Sequence, residues 1–481
     1  MTLEGRKSMN STKRSESTIM TEEEDGLKYM HGFGNSFESE CVKGALPKHR
    51  NNPKVAPLNL YAEQLSGSAF TSPRNINRRS WLYRIQPSVS GTSSTFTRVA
   101  GSFGRNDNNK FEIDPNAMRW DPLPAPETKE KKINFIQGCH TMMGCGTVME
   151  KYGLAIHMYS FDQNMFPGTY FTNSDGDLLI VPQSGTLEVI TELGRMIVPP
   201  QEICVIPRGI VFSINFNDAA FARGYVLEVY GGHFELPELG PIGSNGLANA
   251  RDFQIPTAHY CSEEENTTGI LFNKFGNSLF SRIMNHCPYN VVAWHGNYVP
   301  YKYNLQHFCT MNSVSYDHPD PSIYTVLTVP SHTHPGTALA DFVIFPPRVL
   351  ATDYNTFRPP WFHRNVMSEF MGLISGTYDA KAGGGFVPGG ASLHNTMTPH
   401  GPDTQTFHNA SNMDCSKPTK FNGGIAFMFE TCLTLQLTNF ALTCPQRQTD
   451  YASCWDNLPP YFSIKNQQHD ITSTTEKEHE D

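Results

Sequence analysis

Apolar positions along this 481-residue chain come in short segments closed by turn residues. From about 134 to 235 the segments follow one another closely. Leu178-Leu179-Ile180-Val181 is a continuous apolar run that ends at Pro182 and the Gly185 turn. Thr186-Leu187-Glu188-Val189-Ile190-Thr191-Glu192 alternates apolar and polar, and Gly194 closes it. Ile203-Cys204-Val205-Ile206, Val211-Phe212-Ser213-Ile214 and Tyr225-Val226-Leu227-Glu228-Val229-Tyr230 complete the series. Short strands with turn signals every eight to twelve residues or so predict a β-sandwich or barrel. A second series runs from about 291 to 440. It includes Val291-Val292-Ala293-Trp294-His295, Phe342-Val343-Ile344-Phe345, Met371-Gly372-Leu373-Ile374 and Ile425-Ala426-Phe427-Met428-Phe429-Glu430. The prediction is an all-β protein of two modules in series, with long irregular arms and few short helices.

The remaining segments lack such patterning. Residues 1–25 are rich in Ser, Thr, Lys and Glu and read as a disordered leader. Residues 27–80 and 235–290 read as arms, 100–132 as a polar, Pro-rich connection, and 466–481 as a polar tail.

Composition narrows the functional classes. Charged residues are 17% of the chain, and there are 34 prolines and 38 glycines, which favours strands and loops over a helical bundle. A net charge of −9 gives no basic face for nucleic acid or an anionic membrane. No run of eighteen apolar residues predicts a membrane helix, and residues 1–25 carry no secretory apolar core. Eleven scattered cysteines with no CxxC pair read as reduced thiols, which places the protein in the cytoplasm. Neither a dinucleotide loop nor a phosphate loop occurs.

The chemistry concentrates late in the chain. Trp361-Phe362-His363-Arg364-Asn365-Val366-Met367-Ser368-Glu369 is followed by Met397-Thr398-Pro399-His400-Gly401. Two histidines and one carboxylate are the donor set of non-haem iron(II) oxygenases: they hold one face of an octahedron and leave the other open. His332-Thr333-His334 is a second metal-like pair, but Pro335-Gly336 after it predicts a surface loop.

Both modules resemble cupins, small jelly rolls whose barrel mouth holds a metal and which carry a late P-x-G-x-x-H segment. In the first module that segment is Pro207-Arg208-Gly209-Ile210-Val211-Phe212, with Phe in the ligand's place. The first module is therefore expected to be metal-free. In the second, Pro388-Gly389-Gly390-Ala391-Ser392-Leu393-His394 fits with one extra residue, which makes His394 a rival to His400. The expected division is a leader (1–25), an N-terminal β-domain with a metal-free cupin-like module (26–290), a C-terminal cupin-like catalytic domain (291–460) and a tail (461–481).

Longer motifs point further. Gly32-Phe33-Gly34-Asn35, Asn59-Leu60-Tyr61-Ala62-Glu63-Gln64-Leu65-Ser66-Gly67, Phe171-Thr172-Asn173-Ser174-Asp175-Gly176-Asp177 and His233-Phe234-Glu235-Leu236-Pro237 recur with Asp341-Phe342-Val343-Ile344-Phe345-Pro346-Pro347-Arg348 and His363-Arg364-Asn365. Together they make the chain, from about 27 to 459, resemble the homogentisate 1,2-dioxygenase family. The resemblance implies Fe(2+) held by His363, Glu369 and His400, which settles His400 over His394. It implies His318 as proton acceptor and donor, and Tyr378 and His400 against the substrate. His394 and Asn365 are left as pocket residues behind the ligands. The implied reaction opens the ring of homogentisate with both atoms of O2 to give 4-maleylacetoacetate, in phenylalanine and tyrosine breakdown. The implied assembly is a hexamer, a dimer of trimers. A non-catalytic bicupin and a dioxygenase for another hydroquinone-type acid are the alternatives. The chain departs from the family in a longer leader, a divergent 91–110 segment and slightly longer loops at 331–336 and 349–355.

Overall fold

The protein was analysed as a computed structural model, which describes residues 26–47, 52–90, 94–101, 103, 111–126, 132–238, 246–311, 318, 320–350, 355–381 and 385–462. The expected leader and the 466–481 tail lie outside these residues. Strands dominate, and the described α-helices are short: Phe135–Gly138, Thr404–Ser411 and Asn439–Thr443.

The first module is a full jelly roll. Its strands are β1 (Cys139–Thr147), β2 (Tyr152–Phe161), β3 (Thr169–Asn173), β4 (Asp177–Ser184), β5 (Thr186–Thr191), β6 (Gly194–Val198), β7 (Glu202–Ile206), β8 (Val211–Asn217) and β9 (Ala222–Val229). One sheet runs β7-β4-β9-β2-β1, and the facing sheet runs β6-β5-β8-β3. Each sheet thus takes strands from both ends of the series, which is the double Greek key of a jelly roll.

The two sheets differ in what covers them, and the sequence shows it. Leu178, Ile180, Cys204, Ile206 and Val226 point into the barrel. Their neighbours Leu179, Val181, Ile203, Val205, Tyr225 and Leu227 belong to a separate, larger core shared with the second module. A sheet buried on both faces needs apolar residues at consecutive positions, hence the run Leu178–Val181. The outer sheet has one wet face, so β5 buries Leu187 and Val189 and leaves Glu188 only partly covered.

The second module is reduced. It comprises β10 (Thr325–Pro330), β11 (Ala338–Phe345), β12 (Arg348–Val349), β13 (Ser368–Gly376), β14 (Ala391–His394), β15 (Lys420–Phe421) and β16 (Gly424–Thr431). Its main sheet runs β10-β11-β16-β13-β14, the same topology as the first, but among the described residues its facing sheet keeps only the short pair β12-β15. The strand Met118–Trp120 adds to β14, although residues 100–132 read as a connection. Its three residues are buried, and Trp120 Nε1–H donates to the Ala441 carbonyl at 2.7 Å. In the other direction, Val291–Gly296 pairs with Arg79–Arg84 and Phe37–Glu40, and Tyr301–Asn304 pairs with β7. These two segments read as the start of the second series, yet their backbones complete sheets around the first.

Register in the second sheet sorts its side chains. Asp341, Glu430, Glu369 and His394 are cross-strand partners in one row. The next row is Phe342, Phe429, Phe370 and Leu393. Successive strand residues face opposite sides, so the polar row lines the barrel mouth and the apolar row faces the first module. There the Tyr225 ring lies 4.8 Å from that of Phe427 and 6.4 Å from that of Phe370.

One expectation about cysteines is corrected. Cys261 and Cys287 form a disulfide, while none of the other nine is disulfide-bonded. Their separation of 26 residues carries no pairing signal, because the hairpin Gly269–Phe275/Ser278–Met284 between them brings them together.

The interior of the first barrel holds a charge network. Lys274 Nζ lies 2.8 Å from both Asp175 and Glu228, and Glu228 also meets His157 Nε2 at 3.1 Å. Burial pushes the Glu228 carboxyl up, but Lys274 and His157 outweigh it and hold it well below its ordinary range. That stability is complete above the carboxyl's ordinary 4.5 and drains as pH falls through the depressed value. Lys274→Met leaves two buried carboxylates without a counter-charge and is expected to destabilise the protein by about 3–5 kcal/mol. Urea unfolding at neutral pH measures it, and the wild-type advantage should shrink as pH falls below 4.5.

Candidate metal centre

The second barrel's mouth assembles His363, Glu369 and His400. One ligating atom from each lies within 4.8 Å of the others. Glu369 is the second residue of the central strand β13, so its backbone is fixed on both sides. The two histidines lie outside regular strands and are fixed by each other: His363 N–H donates to His400 O at 2.8 Å, and His400 N–H donates to His363 O at 3.0 Å. Gly401 permits this approach. A Cβ there would sit 2.6 Å from Phe362 Cδ1 and 2.8 Å from Phe362 Cα. Met397, at φ 61°, turns the chain into the bridge.

Both imidazoles are oriented in the same way. His363 Nδ1 meets the Trp361 carbonyl at 2.6 Å, and His400 Nδ1 meets the Thr398 carbonyl at 3.0 Å. A carbonyl only accepts, so both rings carry hydrogen on Nδ1 and turn Nε2 inward. The inward atoms face the Glu369 carboxylate, at 3.8 Å from His363 and 3.0 Å from His400. In neutral rings these are lone pairs opposed to carboxylate oxygens, an arrangement that a shared cation resolves. Burial pushes the Glu369 carboxyl up, but the hydrogen bonds of His363 and His400 hold it far below the usual range. The same bond raises the His363 imidazole. A divalent metal would take the place of the proton in that contact, held by two ring nitrogens and one full negative charge.

The surrounding residues hold this set in place. His394 stacks on His400, centroids 3.8 Å apart and planes 6° from parallel, and its Nε2 turns away to the Tyr451 hydroxyl at 2.8 Å. Asn365 Nδ2 donates to Glu369 Oε1 at 3.1 Å and Glu430 Oε1 at 2.6 Å. Burial, with Glu369 and Asp341 nearby, pushes the Glu430 carboxyl up to about 7. Buried Tyr378 lies between the rings of Phe345 and Phe386, and burial keeps its hydroxyl protonated. His318 is exposed and packs edge-on against Trp361 at 4.5 Å. A cavity of about 730 Å³ opens in front of the histidines, walled by Phe362, Arg364, Trp455 and Leu458. That is within the roughly 300–1,000 Å³ typical of small-molecule sites. His318 and Tyr378 are not among its lining residues. His332 and His334 lie exposed in a turn, apart from the cluster. Sequence reading passed over Glu430 and Trp455. A lone carboxylate ending the apolar strand Ile425–Phe429 was the available signal for Glu430, whereas no pattern marked Trp455.

A jelly-roll barrel with two histidines and a glutamate gathered at its mouth is a cupin-fold protein with a metal-type donor set. Family models described as the N-terminal and C-terminal parts of homogentisate 1,2-dioxygenase match residues 28–305 and 306–462. The homogentisate 1,2-dioxygenase of Homo sapiens is 52% identical over 440 residues, covering 91% of this chain and 97% of the human protein. That of Emericella nidulans is 51% identical, covering 91% and 96%. That of Dictyostelium discoideum is 53% identical, covering 91% and 99%. The chain belongs to the homogentisate 1,2-dioxygenase family.

Gly401→Ala tests the geometry without touching a donor atom. Its Cβ forces Phe362 away and separates His363 from His400. Divalent-metal affinity, read by chelator competition, should fall by about tenfold or more, the size of loss produced by disturbing a ligand's support.

Proposed function

We infer that the chain is an iron(II) enzyme that opens the ring of homogentisate with O2 to give 4-maleylacetoacetate, and that His363, Glu369 and His400 are its metal ligands. Identity of about half across nine-tenths of the chain to homogentisate 1,2-dioxygenases carries the reaction. The gathered donor atoms support the ligand set. Iron(II), when bound, supplies a centre through which electron density passes between a closed-shell ring and triplet O2. Both oxygen atoms enter the product, so no reductant takes part.

The protein's own groups do the rest. The Nδ1 anchors keep the Nε2 atoms of both imidazoles aimed at one point. Glu369 supplies the charge, and Asn365 restrains its free oxygen. Phe362 and Trp455 give the cavity apolar walls for a ring, and Arg364 offers a guanidinium to the acetate group. The buried Tyr378 hydroxyl stays protonated at neutral pH and so keeps a hydrogen to donate. His318, beside Trp361, accepts the phenolic proton at a ring nitrogen and later returns one.

The proposal extends to a hexamer in the cytoplasm, built from a first domain whose sheets take in the chain to Asn304 and a catalytic domain beyond it. Exposed Leu58, Tyr61, Phe70, Ile76 and Val89 on the 55–89 arm support burial against neighbouring copies. Nine cysteines outside any disulfide, against one disulfide, support a reducing compartment.

The first test is oxygen uptake by iron(II)-loaded protein given homogentisate. Equal consumption of O2 and substrate is expected. Uptake only with another hydroquinone acid, or none with iron bound, contradicts the substrate reading. Glu369→Gln should release iron and abolish turnover; full activity would overturn the ligand set. His318→Phe should keep one iron per chain and lower kcat by about 10²–10⁴, the usual worth of a general base. Loss of its iron would assign His318 to the metal site instead.

A further inference from the structure

We infer that Glu430 is a positioning residue for Glu369, acting through the carboxamide of Asn365; the inference rests on the ligand set proposed above.

Three observations carry it. Glu430 is the cross-strand partner of Glu369 in the polar row, so the two carboxylates share one face of the sheet. Asn365 stands between them, with Nδ2 at 2.6 Å from Glu430 Oε1 and 3.1 Å from Glu369 Oε1. The amide's direction is fixed independently, because its Oδ1 accepts from the Met367 N–H at 3.1 Å. The two hydrogens on Nδ2 must therefore go to the two carboxylates.

The placement of Glu430 is unfavourable in itself. It ends an otherwise apolar stretch, is partly buried, and sets a second acid beside Glu369 and Asp341. Nearby like charges disfavour one another, so such a residue must be offset by a bond it makes. The short Asn365 bond is that compensation.

The consequence reaches the metal ligand. Glu369 Oε2 is turned toward His400 Nε2 at 3.0 Å, and Oε1 is restrained by Asn365. Asn365 is also tied to the loop before His400, since its backbone carbonyl accepts from the Met397 N–H at 2.7 Å. Remove Glu430 and the amide loses its shorter partner. Glu369 Oε1 is then free to rotate, and the ligand loses its single orientation.

Cobalt(II) binding to the full-length apoprotein tests this, read by chelator competition and by the visible ligand-field bands of the bound ion. Glu430→Leu should weaken affinity by about 10–100-fold and shift the bands. Glu430→Gln keeps an oxygen for the Asn365 amide and should recover most of the loss. Asn365→Ala should reproduce the Glu430→Leu defect, and the double variant should be no weaker than Asn365→Ala alone, because the two residues act as one unit. Wild-type affinity and bands in Glu430→Leu, or losses that add in the double variant, would overturn the inference. If Glu430→Leu loses its near-UV circular dichroism, the other two variants decide: Asn365→Ala must show the weakened site and Glu430→Gln must not. Cobalt that survives Glu369→Gln would contradict the ligand set itself, which separates that failure from this one.

Discussion

Four strands held in one register decide what this protein presents to its site. Asp341, Glu430, Glu369 and His394 form one row, and Phe342, Phe429, Phe370 and Leu393 form the next. Shifting β11, β16 or β13 by a single residue would move its carboxylate into the inter-module core and bring its phenylalanine into the barrel mouth. Burying an unpaired carboxylate is costly, and so is exposing a phenylalanine that fills a core. Both penalties act against the same slip. The apolar row therefore does more than stabilise: it fixes where Glu369 points.

The reduced second barrel needs an external partner to hold that register. Among the described residues its facing sheet is the β12-β15 pair, too short to cover the main sheet. The first module supplies the cover with a sheet that is apolar on both faces. Tyr225 makes the joint specific, because its hydroxyl donates to Gly390 O at 2.8 Å, one residue before β14. The first jelly roll, with Phe212 packed on Phe171 at 5.3 Å in its interior, acts as a platform. The open end of the second barrel leaves room for the cavity and for a site made from irregular backbone. That backbone is held by the His363–His400 bridge rather than by a ladder.

Much of this was legible in the sequence because local pattern and global role agree. The run Leu178–Val181 and the alternation after Thr186 show strands with two buried faces and with one. The residues around His363 and His400 show donor types, and the fold brings the donors together. What was not legible depends on approach across the chain. No pattern joins His363 to His400 by backbone bonds, since more than thirty residues separate them. Met118–Trp120 is too short to signal a strand; it becomes one because β14 offers an edge. Tyr301–Asn304 looks like the next module because composition cannot say which sheet a strand will join. Cys261 and Cys287 pair because a hairpin folds the segment between them back on itself. Glu430 was visible as a misplaced carboxylate, but its meaning requires Asn365 to be seen beside it.

The central claim is that His363, Glu369 and His400 hold one metal ion. Anomalous diffraction at the iron edge, from crystals of the iron(II)-loaded protein kept anaerobic, tests it most directly. The account predicts one peak per chain in the second barrel's mouth, bounded by the Nε2 atoms of both histidines and a Glu369 oxygen, with His394 stacked behind and not ligating. A peak bound through His394, at His332 and His334, or inside the first barrel would contradict it.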